Sequence, residues 1–435
     1  MSGDKFIKSK NVLLKNATII ENGYSEKEKW DIFVVNGKID TISPAKGSQP
    51  FSGTVLDCTG KLVFPGLIDM HVHFREPGRE DEETLKSGAL SGIAGGFTAG
   101  CTMPNTNPVT DNREIVEFIL EEMKNHLFSV FPIAAITKDQ QGEKLVEMAE
   151  LVDAGAVAFS DDGKSVANSL LLRRALEYSK MFNVPIIEHC EDANLVVGGD
   201  MHEGFVSSNL GLGGMPAIAE DVIVARDLML AEYTGGKIHI AHISTKGSVE
   251  LVRRAKDKGV DVTAEATPHH FTLTDEAVRS FDSNYKMNPP LRSEEHVEAV
   301  IQGLKDGTID AIVTDHAPHS IEEKDAEFSA APFGITGLET ALGLIARQLV
   351  NPGILTWQDI VQKMCKNPYQ ILGMEAPQIK VGEVANLSVI DPAGEWEVDK
   401  FKMKSRSRNT PFHGWKLPAR AVAVFNNGLY YLVDD

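Results

Sequence analysis

From residue 62 to residue 315 the chain repeats one pattern eight times, a short apolar run followed by a longer polar or amphipathic stretch. The runs are LVFPGLIDM (62–70), FTAGCTM (97–103), SVFPIAAI (129–136), AVAFS (156–160), VPIIEH (184–189), KIHIAHI (237–243), DVTAEAT (261–267) and DAIVTD (310–315). Helical patterns fill the gaps, among them NREIVEFILEEMK, GEKLVEMAELVDAG, NSLLLRRALEYSKMF and GSVELVRRAKDKG. Eight strand candidates alternating with helices predict a (β/α)8 barrel of the TIM type, although periodicity alone does not exclude an open sheet. The connection from about 190 to 236 has room for an inserted loop and a helix.

The two ends read differently. NVLLKNATII and DIFVVNGKIDTIS near the start, and GEVANLSVID and ARAVAVFNNGLYYLV near the finish, are strand-like. They are punctuated by Asn36-Gly37, by Gly and Pro at 47–53, and by Asn427-Gly428. Neither end supplies enough strands alone, so a small β-sandwich-like domain built from both, residues 1–61 with 378–435, is expected around a barrel at 62–377. No run approaches the ~20 apolar residues of a membrane span. The 43 basic residues fall short of the 62 acidic ones, giving a net charge of −19. That balance argues against nucleic acid or an anionic membrane as partner and leaves a small anionic substrate open. Cys58, Cys101, Cys190 and Cys365 are far apart, which suits a reduced, cytoplasmic protein.

The chemistry concentrates where the runs end. In a barrel, function sits at the C-terminal ends of the strands. The first run ends in Asp69-Met70-His71-Val72-His73, and residues two apart on a strand share a side. The fourth ends in Ser160-Asp161-Asp162-Gly163, the fifth in Glu188-His189, the sixth at His242, the eighth at Asp315. Alone, an HxH pair could be core histidines, and Asp-Asp-Gly a turn. Together they place four histidines and two or three carboxylates on one rim, a donor set suited to one or two zinc-like ions. His239 has the opposite strand parity from His242 and is expected packed or exposed outside the barrel. His126, His202, His296 and His413 carry no positional argument and are taken as structural.

PGLIDMHVHFREPG (65–78), CTMPNTNP (101–108), IIEHCED (186–192), MNPPLR (287–292) and VTDHAPH (313–319) resemble the amidohydrolase superfamily, and within it the longer bacterial dihydroorotases. The resemblance covers nearly the whole chain. It implies two zinc ions per subunit, the first held by His71, His73 and Asp315 and the second by His189 and His242. Many members of the superfamily bridge the metals with a carboxylated lysine on strand four. AVAFSDDG has none there, which resembles the branch with an aspartate bridge and points to Asp162 more than Asp161; Lys164 lies beyond the strand.

The resemblance further implies that Arg75, Asn105 and His319 grip a substrate carboxylate. Asn288 and the backbone of Phe333 and Gly334 would read the ring amide edges. His269 and His270 belong to the pattern without an assigned role. Without the resemblance, Arg75 would read as a surface ion pair with Glu76 or Glu80. The implied reaction is the reversible metal-hydroxide opening of dihydroorotate to N-carbamoyl-aspartate in pyrimidine biosynthesis, with Asp315 as general base and then acid. Hydantoinases, dihydropyrimidinases and allantoinases are the near alternative, disfavoured by the missing lysine and the carboxylate clamp. A non-catalytic scaffold should have lost ligands. A homodimer is usual in similar proteins; it and association with another enzyme of the pathway stay open.

Overall fold

The computed structural model describes residues 6–45 and 51–433. One parallel sheet takes its eight strands in chain order: β1 (Leu67–Val72), β2 (Phe97–Thr102), β3 (Ser129–Ala134), β4 (Ala158–Ser160), β5 (Ile186–Glu188), β6 (Ile238–Ile240), β7 (Val262–Ala266) and β8 (Ala311–Ile312). A parallel bridge between Val72 and His316 brings the eighth strand back to the first, so the sheet is a barrel. Seven of the expected runs each contain one strand. The run at 62–70 contains two, because the chain changes sheets at Gly66, whose N–H donates to the Asn386 carbonyl. Leu62–Pro65 pairs antiparallel with Leu387–Ile390 in the terminal sheet, and only Leu67 onward is barrel.

The outer helices are α1 (Leu85–Ala94), α2 (Arg113–Glu122), α3 (Met148–Ala154), α4 (Ser169–Ser179), α5 (Ile218–Thr234), α6 (Lys246–Asp257) and α7 (Glu294–Asp306), with α8 (Ala341–Ile345) after the last strand. Thr84, Asn112, Asn168 and Thr245 accept backbone N–H groups at the starts of α1, α2, α4 and α6, satisfying donors a helix start leaves open. α3 is shorter than its pattern, since Leu145 is bridged to Thr137 and Val146 donates to the Ile136 carbonyl. Tertiary pairing wins over local propensity there. The stretch between β5 and α5 holds the short segments Met201–His202, Phe205–Leu210 and Gly214–Met215.

Strands from both ends of the chain form a nine-stranded sheet. Asn11–Ile19 forks: Val12–Lys15 pairs with Thr54–Asp57, and Thr18–Ile19 with Leu62–Val63. The sheet curls around Val12, Leu14, Ile32, Val34, Leu387 and Phe425. Alternate residues face the other way. Val63, Val389, Ala423 and Tyr430 belong to that core, whereas Phe64, Ile390, Val424 and Tyr431 belong to the barrel's. The period of two thus welds sheet to barrel. Asn36-Gly37 and Asn427-Gly428 both turn with positive φ, as expected for two-residue hairpin loops. Residues 46–50, which take in the first part of the turn expected at 47–53, and residues 1–5 and 434–435 lie outside the described residues. No helix among the described residues is long and apolar enough to cross a membrane.

Candidate active site

Five of the eight barrel strand ends deliver side chains to one place. His71 and His73 project from the end of β1 to the same side, and Asp162 follows β4. His189 follows β5, His242 follows β6 and Asp315 follows β8. All six are buried. Their donor atoms form three overlapping groups, His71–His73–Asp162, His71–His242–Asp315 and Asp162–His189–His242, within each of which the atoms lie within 4.8 Å of one another. Asp162 is the hub. Its Oδ1 is 3.4 Å from His71 Nε2, 3.5 Å from His242 Nε2 and 3.8 Å from His189 Nδ1, and its Oδ2 is 3.4 Å from His73 Nε2. Asp315 Oδ1 lies 3.1 Å from His73 Nε2 and 3.5 Å from His71 Nε2.

Asp161 is engaged elsewhere: it accepts from Ile136 N and Thr137 N at 2.8 and 3.0 Å and from the Thr137 hydroxyl. Lys164 donates to the Gln140 carbonyl. Neither is among the clustered donors. Arg75, His242 and Asp315 all have positive φ (48°, 31° and 47°), backbone strain costing about 1–3 kcal/mol each that surrounding packing must offset.

The donor set fits a divalent cation on two observations. His71 Nε2 and Asp162 Oδ1 are buried with no hydrogen-bond partner, although they face each other. His189 Nδ1 and His242 Nε2 stand 2.9 Å apart, where two lone pairs would meet unless a proton or a cation lay beside them. The field points the same way. Burial alone would lower the His71 pKa, yet Asp162, Asp315 and Glu265 hold it well above the ordinary value. Burial would raise Asp315, but His71 and His73 keep it at about 2. Imidazole and carboxylate donors of this kind suit zinc and similar ions.

A cavity of about 330 Å³ opens onto this cluster. Its walls include His73, Asp162, His189, His242 and Asp315, and also Arg75, Asn105, Asn288, His319, Phe333 and Gly334. Of the sequence-expected site residues only His71 lies behind the wall. Arg75 is buried rather than a surface ion pair. Its Nε donates to the Pro318 carbonyl at 3.1 Å and sits 3.2 Å from Glu82 Oε2, and a terminal nitrogen is 3.4 Å from His319 Nε2. Glu76 and Glu80 instead accept the N–H groups of Leu85 and Gly78. Burial, with Arg75 and Lys324 nearby, pulls His319 down to about 3, so this imidazole is neutral.

Asn105 Oδ1 is 2.8 Å from His73 Nδ1, a second task beside its place on the cavity wall. Asn288 Oδ1 is buried without a partner, while its amide nitrogen is 3.5 Å from His189 Nε2. The Phe333 carbonyl pairs with His319 Nε2, and Gly334 donates to the Lys286 carbonyl and accepts from Asn409. A Cβ at Gly334 would come within 2.7 Å of the Ala317 oxygen and the His319 ring, so glycine is required for this close approach. His270, from the His-His pair, holds the Pro289 carbonyl at 2.8 Å and so steadies the loop carrying Asn288.

Two side chains were not foreseen in these roles. Glu265 on β7 lies behind His71, and His239 on β6 points inward to it, fully buried. The expected exterior placement of His239 is therefore corrected: β6 ends at Ile240 and His242 has φ 31°, so strand parity does not carry from 239 to 242. An ionisable residue in the middle of DVTAEAT, inside a buried strand, was the signal for Glu265.

Known proteins resemble this chain over nearly its whole length. A family model described as Dihydro-orotase-like matches residues 60–248. A dihydroorotase of Syntrophus aciditrophicus (strain SB) is 48% identical over 425 residues, covering 98% of this chain and 100% of the relative. A dihydroorotase of Geobacter sp. (strain M21) is 51% identical, covering 96% of this chain and 98% of the relative. Among solved structures, L-hydantoinase (dihydropyrimidinase) from Arthrobacter aurescens superposes with a TM-score of 0.85 at 24% identity, covering 96% of this chain and 95% of that one. Dihydropyrimidinase from Brevibacillus agri NCHU1002 gives 0.83 at 19%, covering 98% and 96%. At those identities the structures speak to the fold.

Proposed function

The chain belongs to the dihydroorotase family of the amidohydrolase superfamily, and from that membership we propose that it opens and closes dihydroorotate through the residues lining its cavity. It is a hydrolase of cyclic amide C–N bonds; opening the ring yields N-carbamoyl-aspartate, and closure is the direction of pyrimidine synthesis. The strands before Gly66 and those after residue 377 form its small domain, the stretch from Leu67 to residue 377 its catalytic barrel, and it works in the cytoplasm.

His71, His73 and Asp315 would hold one zinc ion, His189 and His242 a second, with Asp162 shared. Bound there, zinc supplies Lewis acidity, polarising an amide carbonyl and lowering the pKa of water from 15.7 to roughly 7. Asp315 takes the proton of the attacking water as the new C–O bond forms. It returns that proton to the ring nitrogen as the C–N bond breaks. Arg75, Asn105 and His319 fix the substrate carboxylate, so the scissile carbonyl meets the water in one orientation. A guanidinium matches a carboxylate with two parallel hydrogen bonds. The orphan Asn288 Oδ1 accepts a ring N–H, and the Phe333 and Gly334 carbonyls each retain a second lone pair for the same purpose.

The observation that carries the reading is one cavity that opens onto the aspartate–imidazole cluster and is also lined by a buried guanidinium. That guanidinium separates a dihydroorotase from a hydantoinase. Purified protein should open dihydroorotate at least about 100-fold more efficiently, in kcat/KM, than dihydrouracil or hydantoin, which lack the carboxylate. Equal efficiency on all three would remove the clamp from the account.

A further inference from the structure

Beneath the metal-competent cluster lies a carboxylate that the mechanism does not use. Glu265 on β7 is fully buried, and both of its oxygens are occupied. Oε1 accepts from His71 Nδ1 at 2.7 Å and from the backbone N–H of His242 at 3.3 Å. Oε2 accepts from His239 Nε2 at 3.0 Å, and His239 Nδ1 is 2.7 Å from the Thr263 hydroxyl. The chain Thr263–His239–Glu265–His71 thus crosses from β6 and β7 to β1 under the floor of the cavity.

These bonds have a consequence for two of the candidate ligands at once. An imidazole that gives its Nδ1 proton to a carboxylate presents an Nε2 lone pair, and the carboxylate raises its basicity. His71 Nε2 is among the buried atoms left without a partner. The same oxygen that fixes the His71 ring also holds the backbone of His242, at a residue whose φ of 31° is strained for any side chain but glycine. His71 and His242 belong to the two different ions of the reading above.

We infer that Glu265 is a positioning residue shared by both halves of the metal centre, fixing the His71 ring and the His242 backbone from one carboxylate. The inference rests on the two-ion reading. His239 and Thr263 act through Glu265: with Nε2 donating to the carboxylate, His239 Nδ1 accepts the Thr263 hydroxyl, which locks the Oε2 side.

Zinc content and affinity test it directly, by metal analysis of purified protein titrated against a competing chelator. Glu265→Gln keeps an oxygen for His71, and His239 can accept from the new amide by moving its proton to Nδ1, so that variant isolates the charge. Glu265→Leu removes charge and acceptor together. Affinity for both equivalents of zinc should fall, roughly 10-fold in Glu265→Gln and roughly 100-fold in Glu265→Leu. Excess zinc should restore dihydroorotate turnover, which a merely structural lesion would not allow. Should Glu265→Leu not fold, Glu265→Gln and Thr263→Val carry the same comparison, with the smaller loss in Thr263→Val. Unchanged affinity in the folded variants, loss of only one equivalent, or turnover that zinc does not rescue would each overturn the shared role. If the unaltered protein itself binds no zinc, the metal reading fails instead, so the two failures are distinct.

Discussion

At the scale of single residues, the site is a contest between burial, which penalises charge, and opposite charges close enough to retain it. Asp315 illustrates the outcome: burial would neutralise it, but His71 and His73 keep it ionised, the state a general base requires. Asp315→Ala should lower kcat by about 10²–10⁴-fold, the span of general acid–base catalysis. Undiminished turnover in that variant would remove Asp315 from proton transfer. Arg75 makes a different kind of contribution. Arg75→Lys keeps the charge and loses the planar fork, so KM for dihydroorotate should rise about 10- to 100-fold while kcat changes little. An equal fall in kcat at constant KM would place Arg75 in the chemical step. The ligand-type residues were legible because each sits at the end of an apolar run. The partners of Glu265 and the inward turn of His239 were not, since the first depend on what faces β7 inside the barrel and the second on backbone dihedrals that spacing cannot express.

At the scale of elements, alternation of short apolar runs with helical patterns located all eight barrel strands, because parallel strands buried on both faces are apolar throughout. It failed where one run served two sheets. Nothing in LVFPGLIDM announces that Leu62–Pro65 pairs with residues more than 300 positions later, and the α3 pattern was likewise cut short by pairing at Leu145. The turns were the reverse case, local and legible. Gly37 has φ 78°, and a Cβ there would come within 2.6 Å of the Gly428 Cα, because the two hairpin turns pack against each other. Ser9 joins them, donating to the Gly428 carbonyl and accepting from Gly37 N–H. Gly37→Ala should therefore cost about 1–3 kcal/mol, seen as a lower Tm in thermal melts, with KM unchanged. An unshifted Tm would mean that the two turns do not constrain each other.

At the scale of the whole molecule, the terminal sheet is part of what holds the barrel. Phe64, Ile390, Val424 and Tyr431 face the barrel core from strands contributed by both ends. A chain ending at residue 380 would lose the partner of Leu62–Pro65 together with Ile390, Val424 and Tyr431, leaving Phe64 and the barrel side chains they cover exposed, so it should aggregate or melt without cooperativity. A soluble, cooperatively folded barrel from that truncation would show the sheet to be dispensable. The net charge of −19 is summed over the whole chain, whereas the buried guanidinium proposed to bind the substrate carboxylate is confined to one cavity. A strongly acidic protein can therefore receive an acidic substrate. The central claim is that one cavity joins a metal centre to a carboxylate clamp for dihydroorotate. The most direct measurement follows dihydroorotate ring opening by the purified protein, before chelation, after it, and after zinc is restored. The account predicts activity that chelation abolishes and zinc returns; zinc-replete protein that leaves dihydroorotate unopened, or activity indifferent to chelation, would contradict it.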